Sequence, residues 1–281
     1  MARITLGNRD GTLAVRHGRA VMESLAEEWP DLNLTVRTIP RTAANDAAAI
    51  LDALGKSKID VAVVQMDALP HQLSEDVKLA AVSRRSDVRS ALVAKGHKRL
   101  AGLDPKTRVG VFSERDATFL KAGGTAVEPL LLDGSPENEL ARLAAGEFGA
   151  LILAAATMLG LELRDRIDAY LDVDAFTPSP GQGAVGLVVR ADDDLAFETV
   201  YALQHRPSFD RVRAERAFAA ALAPRQVGAV ATVTDDGELT LLGAVVENDS
   251  TLQASVTGEA REAEELGREL AQDVLERGKK P

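Results

Sequence analysis

The sequence predicts an α/β protein of two lobes with central mixed sheets, followed by a small C-terminal α+β domain. Three observations carry that reading. Short, nearly continuous apolar runs, Ile59 to Val64 (IDVAVV) and Ala150 to Ala154 (ALILA), have the composition of strands covered on both faces. Segments of helical spacing alternate with these runs over the first two thirds of the chain. The tail instead alternates with period two on either side of Asp235-Asp236-Gly237, a hairpin signature.

The elements follow in order. Ile4-Thr5-Leu6-Gly7 reads as a strand, and Leu13, Val15, Val21, Met22 and Leu25 give Thr12 to Glu28 helical spacing. Trp29-Pro30-Asp31 breaks that helix, and Leu32 to Val36 alternates as the next strand, closing a βαβ unit. Ala43 to Gly55 is a second helix with Gly55 as its stop, and Ile59 to Val64 is the strand after it. The second lobe repeats the logic. Ser90 to Ala94 and Val109 to Phe112 read as strands, Glu137 to Ala145 as a helix, Ala150 to Ala154 as a buried strand, and Glu162 to Tyr170 as a helix. In the tail, a helix over Asp210 to Leu222 precedes strands at Ala229 to Val233 and Leu239 to Val246. A charged helix over Arg261 to Arg277 then closes the chain, with Glu264, Glu265 and Arg268 on a solvated face and Gly278 behind it. The expected domains are residues 1–84 with 184–205, residues 85–183 with a hinge near 176–183, and residues 206–281.

Composition excludes several kinds of chemistry. The 281 residues include no cysteine, which removes a thiol nucleophile, thiolate metal ligands, disulfides and any thioether-anchored group. Four scattered histidines, His17, His71, His97 and His205, have no metal-ligand spacing, so no metal is expected. A net charge of −10 without a basic cluster opposes phosphate backbones, so no nucleic-acid partner is expected. No apolar run reaches the roughly 18 residues of a membrane span, and Ala2-Arg3-Ile4-Thr5-Leu6 has no signal pattern. A cytoplasmic monomer without a membrane partner is therefore expected.

Ligands of such sheets sit beyond the carboxyl ends of strands. This directs attention to Asn8-Arg9-Asp10, Gln65-Met66-Asp67-Ala68, Ser113-Glu114-Arg115-Asp116 and Pro180-Gly181-Gln182-Gly183. The ligand-binding candidates are Arg9, Asp67, Ser113, Arg115, Asp116 and Gln182. Four also have a plain reading: an ion pair for Arg9, a solvated rim for Asp67 and Asp116, a hinge backbone for Gln182 between Gly181 and Gly183; Ser113 and Arg115 retain an anion-binding look.

Phe176-Thr177-Pro178-Ser179-Pro180-Gly181-Gln182-Gly183-Ala184-Val185-Gly186-Leu187 resembles the hinge segment of the porphobilinogen deaminase (hydroxymethylbilane synthase) family. Further likenesses keep the family's order. They are Ile59-Asp60-Val61-Ala62-Val63 with Met66 and Pro70, Arg85 to Ala91, Gly146 to Ala154, Val212-Arg213-Ala214-Glu215-Arg216-Ala217, and Asp236-Gly237-Glu238-Leu239. The resemblance implies two lobes similar to type II periplasmic binding proteins plus a third domain.

The same resemblance marks departures. The family holds a dipyrromethane cofactor through a cysteine in L-E-G-G-C-Q-V, where this chain reads Leu222-Ala223-Pro224-Arg225-Gln226-Val227. The attachment position near Arg225 and Gln226 has no thiol, so dipyrromethane is expected to be absent. The family's catalytic aspartate falls on Ala68, with Asp67 adjacent. Its S-S-L-R-R becomes Phe112-Ser113-Glu114-Arg115-Asp116. Its R-G-N-V-G-T-R becomes Asp133 to Glu139, and a further basic position falls on Gly160. The family's lid has no counterpart between Thr42 and Asn45. Cations replaced by anions at Asp116, Asp133 and Glu139 turn attraction for polycarboxylates into repulsion, about 1 kcal/mol each even after screening.

The expected function is that of a family member with a degenerate active site. It would be unfit for dipyrromethane-dependent tetrapyrrole synthesis and repurposed to bind a small cation or zwitterion between the lobes, with the catalytic residues left unassigned. One alternative is a hydroxymethylbilane synthase with altered cofactor attachment, a transferase. The other is a scaffold or regulatory protein without catalysis.

Overall fold

The structure, a computed structural model, describes residues 3–40, 46–94, 96 and 99–278. The elements of the first lobe's N-terminal part are β1 (Arg3–Arg9), α1 (Thr12–Glu28), β2 (Asn33–Ile39), α2 (Asp46–Gly55), β3 (Val61–Gln65) and β4 (Val77–Val82). Next come β5 (Ser90–Ala94), β6 (Arg108–Val111), α3 (Glu114–Ala122), β7 (Glu128–Leu131), α4 (Pro136–Ala145), β8 (Ala150–Ala154), α5 (Ala155–Gly160) and β9 (Ala169–Tyr170). The chain continues through β10 (Val185–Arg190), α6 (Asp194–Tyr201), α7 (Arg206–Leu222), β11 (Val227–Val233), β12 (Glu238–Glu247), β13 (Ser250–Glu259) and α8 (Ala263–Gly278). Contacts divide it into two units, Met1–Ser86 with Ala184–Val212, and Asp87–Gly183 with Arg213–Pro281.

The first unit is built on a sheet of order β2-β1-β3-β10-β4. β1, β2 and β3 are parallel, and β10 runs antiparallel to both its neighbours. The apolar run at β3 is continuous because both faces are covered. Val61 and Val63 pack with Ile4, Leu6, Val21 and Leu25, while Ala62 and Val64 pack with Ile50, Leu54 and Ile59. Full burial of each such aliphatic side chain is worth about 1.5–3 kcal/mol. The helix expected from Ala43 begins, among the described residues, at Asp46; residues 43–45, the lid position at 42–45 and His97 lie outside them.

The second unit repeats the plan with order β7-β6-β8-β5-β9, in which β6, β7 and β8 are parallel and β5 is reversed. Phe119 and Leu120 of α3 cover one face, and Leu140 and Leu143 of α4 the other. The same unit contains an antiparallel sheet, β11-β12-β13, joined through the expected hairpin. Phe218 and Leu222 of α7 and Leu266, Leu270 and Val274 of α8 close its core with Leu239 and Leu241. The charged residues Glu264, Glu265 and Arg268 of α8 stay exposed. Among the described residues, no helix is long and apolar enough to cross a membrane.

The helix expected over Glu162 to Tyr170 is not formed. Glu162 adopts φ 63°, Arg164–Arg166 makes a single tight turn, and the chain then pairs with β5 through Ala169 and Tyr170. Asp168 holds the register, its Oδ2 accepting from the Ala94 amide at 2.6 Å. Ile167, Ala169 and Leu171 carry the period-two pattern of that edge.

Candidate functional site

In the first unit the candidates lie on neighbouring strand ends. β1 and β3 pair in parallel with Leu6 opposite Val61 and Gly7 opposite Ala62. Carried forward, that register sets Arg9 level with the end of β3, just before the tight turn Met66–Ala68 that contains Asp67. Asn8 is fully buried behind Arg9, and its Nδ2 donates to the Arg9 carbonyl at 2.8 Å. The turn itself is fixed by Met66, whose amide donates to the Ala184 carbonyl at 3.0 Å. Ala68 is exposed and offers only a methyl group. A cation, Arg9, and a carboxylate, Asp67, thus share this end of the sheet with Asp10, which follows Arg9.

In the second unit the candidates are engaged internally. Ser113 is the N-cap of α3, its Oγ accepting from the Asp116 amide at 3.1 Å. Arg115 is buried. Its Nε donates to the Val227 carbonyl at 3.1 Å, its Nη2 to the Thr177 carbonyl, and its Nη1 to the Asp116 carboxylate at 2.7 Å. The guanidinium also lies 4.0 Å over the Phe119 ring. Burial pulls the Arg115 pKa below its ordinary value, opposed by the neighbouring Asp116 charge. Arg115 is therefore a buried arginine paired with the half-buried Asp116, and Ser113 caps α3.

Gln182 is likewise buried, its Nε2 donating to the Val88 carbonyl at 2.7 Å and to Ser90 Oγ at 3.3 Å. Gly183, at φ 77°, lies where a Cβ would meet the Asp87 carbonyl oxygen at 2.7 Å, so only glycine fits there. Glu139, one of the positions where the resemblance has a cation, is buried. It accepts from the Gly134 amide at 3.1 Å and pairs with Arg142 at 2.9 Å. Asp133 is exposed. At the attachment position, Arg225 pairs with Glu247 at 3.1 Å and Gln226 is exposed.

Sequence reasoning missed two positions. Glu215 is fully buried and clamps two segments, accepting from the Gly181 amide at 2.7 Å and the Ala231 amide at 2.8 Å. Its signal was available: it precedes Phe218, Ala219 and Leu222 by three, four and seven residues, which sets a carboxylate on the apolar face of α7. Asp87 was quoted only as part of a motif. It forms a two-point pair with Arg89, at 3.0 Å to Nε and 2.6 Å to Nη2, and this bond holds its carboxyl below the ordinary range.

Residues 4–198 match the family described as porphobilinogen deaminase, dipyromethane cofactor binding domain. Two proteins named porphobilinogen deaminase are similar over nearly the whole chain. That of Thermus thermophilus is 43% identical over 99% of this chain and 97% of its own. That of Deinococcus radiodurans is 37% identical with the same coverage. Among solved structures, a methionine-binding lipoprotein from Bacillus subtilis superposes with a TM-score of 0.51 at 13% identity, over 72% of this chain and 90% of that one. The likeness establishes a periplasmic-binding-protein-like fold.

These matches correct one expectation. The absence of cysteine led to the expectation that dipyrromethane is absent, yet the matched region is the domain that binds this cofactor, and the relatives are porphobilinogen deaminases. A cysteine count bears on the anchoring bond alone, and not on the non-covalent contacts of residues 4–198.

Proposed function

Because the chain belongs to the porphobilinogen deaminase family, we propose that it is a divergent member that binds a small pyrrole-type zwitterion reversibly and does not extend it into a tetrapyrrole. The observation that carries this reading is the burial of Arg115, with its three nitrogens committed to Thr177, Val227 and Asp116. The resemblance assigns that arginine to the substrate side, and here each of its three nitrogens already donates to an internal acceptor, which opposes its turning to a carboxylate from outside. Arg9 and Asp67 on adjacent strand ends favour a ligand with one anionic and one cationic group. Without a thiol, a pyrrole group bound by this chain has no thioether to hold it. At Ala68 no carboxylate is present to stabilise a cation as an amine leaves.

A second reading, a hydroxymethylbilane synthase with altered attachment, is favoured by 43% identity to a porphobilinogen deaminase over 99% of the chain. Incubation with porphobilinogen separates the two. The proposal expects a rise in melting temperature by mass action and no uroporphyrin after oxidation. Arg9→Ala and Asp67→Asn should each remove the rise. Uroporphyrin above background overturns the proposal in favour of the second reading.

A further inference from the structure

A cavity of about 520 Å³ lies within the second unit, and neither Ser113 nor Gln182 lines it. α3 runs back from the carboxyl end of β6, so its last turns, Phe119 to Gly123, lie toward the opposite end of the sheet. There they face the edge segment Ala169 to Phe176 across the cavity. We propose that this cavity is a binding site for a free aromatic zwitterion, a molecule with one planar apolar ring and separate anionic and cationic groups.

Three features lead to that ligand class. The volume is within the range of small-molecule sites, about 300–1,000 Å³, and the walls are mostly apolar, with Phe119, Leu120, Leu171 and Phe176 among them. Two side chains of opposite charge, Arg99 and Asp172, stand at the lining, and both are exposed. A ring in the apolar part would leave its carboxylate for the guanidinium and its ammonium for the carboxylate, whereas a ligand of one sign would face a like charge.

The aromatic walls are held from behind. The Phe119 ring meets Phe176 edge-on, with centroids 6.3 Å apart at 70°, and Arg115 lies over Phe119 at 4.0 Å. Arg115 is itself fixed by Val227, Thr177 and Asp116. On the other side, Arg89 lies 4.0 Å over the Tyr170 ring and is fixed by Asp87. Walls braced by pinned guanidinium groups do not fold inward, so the ligand finds its site already formed. This also gives the internal pairing of Arg115 a purpose beyond filling the core.

Saturation-transfer NMR and calorimetry with L-tryptophan test the proposal on the full chain. Binding in the sub-millimolar range is expected, with transfer strongest to the indole protons. Phenylacetate and phenethylamine, each lacking one charge, should bind about tenfold more weakly, as should L-tryptophan to Arg99→Ala or Asp172→Asn. Glycine, without a ring, should not compete. Ala175→Trp places an indole in the cavity and should abolish binding. If that variant does not fold, the two exposed charge variants decide. Arg9→Ala should leave L-tryptophan binding unchanged, which separates this site from the strand-end reading. Absence of binding at millimolar L-tryptophan, or undiminished binding to Arg99→Ala and Asp172→Asn, overturns the proposal.

Discussion

Replacing Arg115 by alanine distinguishes a structural arginine from a ligand-binding one. The substitution leaves the Thr177 and Val227 carbonyls without their side-chain donor. An orphaned buried polar group costs about 1–3 kcal/mol. It also strips Asp116, whose side chain is 19% exposed, of its partner, and removes a cation from the Phe119 face. Breaking a buried ion pair from one side costs about 3–5 kcal/mol, and water reaching Asp116 relieves part of that. A loss of at least about 3 kcal/mol is therefore expected, a large share of the roughly 5–15 kcal/mol that holds a domain folded. Urea unfolding followed by far-UV circular dichroism should show the midpoint falling with the slope unchanged. Arg268→Ala on the exposed face of α8 serves as the control, at about 0.5 kcal/mol or less. Trp29, the single tryptophan, lies in the first unit, so its fluorescence reports that unit separately. The reasoning is refuted if Arg115→Ala is as stable as Arg268→Ala while ligand binding is lost, for then the guanidinium serves a ligand after all.

Three further outcomes are expected. Glu215→Ala should cost about 2–4 kcal/mol by orphaning the Gly181 and Ala231 amides, and hydrogen exchange should quicken at those two positions. Gly267→Ala would set a Cβ 2.4 Å from the Ala214 carbonyl oxygen and 2.8 Å from the Ala217 Cβ, both on α7, so a loss of about 1–3 kcal/mol in chemical denaturation is expected from forcing α8 away. His205 Nδ1 lies 2.8 Å from Ser208 Oγ and accepts from the Ser208 amide at 3.3 Å, which requires that nitrogen unprotonated. Burial, with Arg84 and Arg211 nearby, pulls its pKa below 6.5. A lowered folded pKa means stability present above about pH 6.5 and lost as pH falls through the folded value, so the first unit should weaken on acidification and His205→Ala should flatten that slope.

The fold was legible where period and burial agree. β3 and β8 read as continuous apolar runs because two helical layers cover them, and the hairpin at 235–237 announced the third sheet. The segment at 162–170 misled because Leu163, Ile167 and Tyr170 also satisfy a helical spacing, i, i+4 and i+7. What decided it was long-range, the bond from Asp168 to the Ala94 amide, 74 residues away. Long-range contacts bear on the site residues in a similar way. Ser113 and Asp116 stand three apart, a capping signature at the start of α3, and were read as ligand contacts because strand ends in such sheets so often hold them. No local pattern shows that Arg115 turns inward, since its acceptors come from residues 62 and 112 positions away.

Acidic positions of the second unit share a feature. At two of the positions where the resemblance places a cation that would need an external anion, the acidic residue has internal partners: the half-buried Asp116 with Arg115, and the buried Glu139 with the Gly134 amide and Arg142. A buried guanidinium or carboxylate without a counterpart is costly. A site that awaits a polyanion therefore spends its unliganded life with charges only water can satisfy. In this chain Asp116 supplies Arg115 with an internal counterpart, at 2.7 Å. The reversal should show in a double substitution. Asp116→Ala alone strands the Arg115 charge and should destabilise the unit. If the lobe retains its ancestral geometry, acetate or a propionate-bearing pyrrole should then restore melting temperature to Asp116→Ala but not to Arg115→Ala/Asp116→Ala. Equal response of the two variants would mean that no external anion reaches Arg115, and that its inward turn is independent of Asp116.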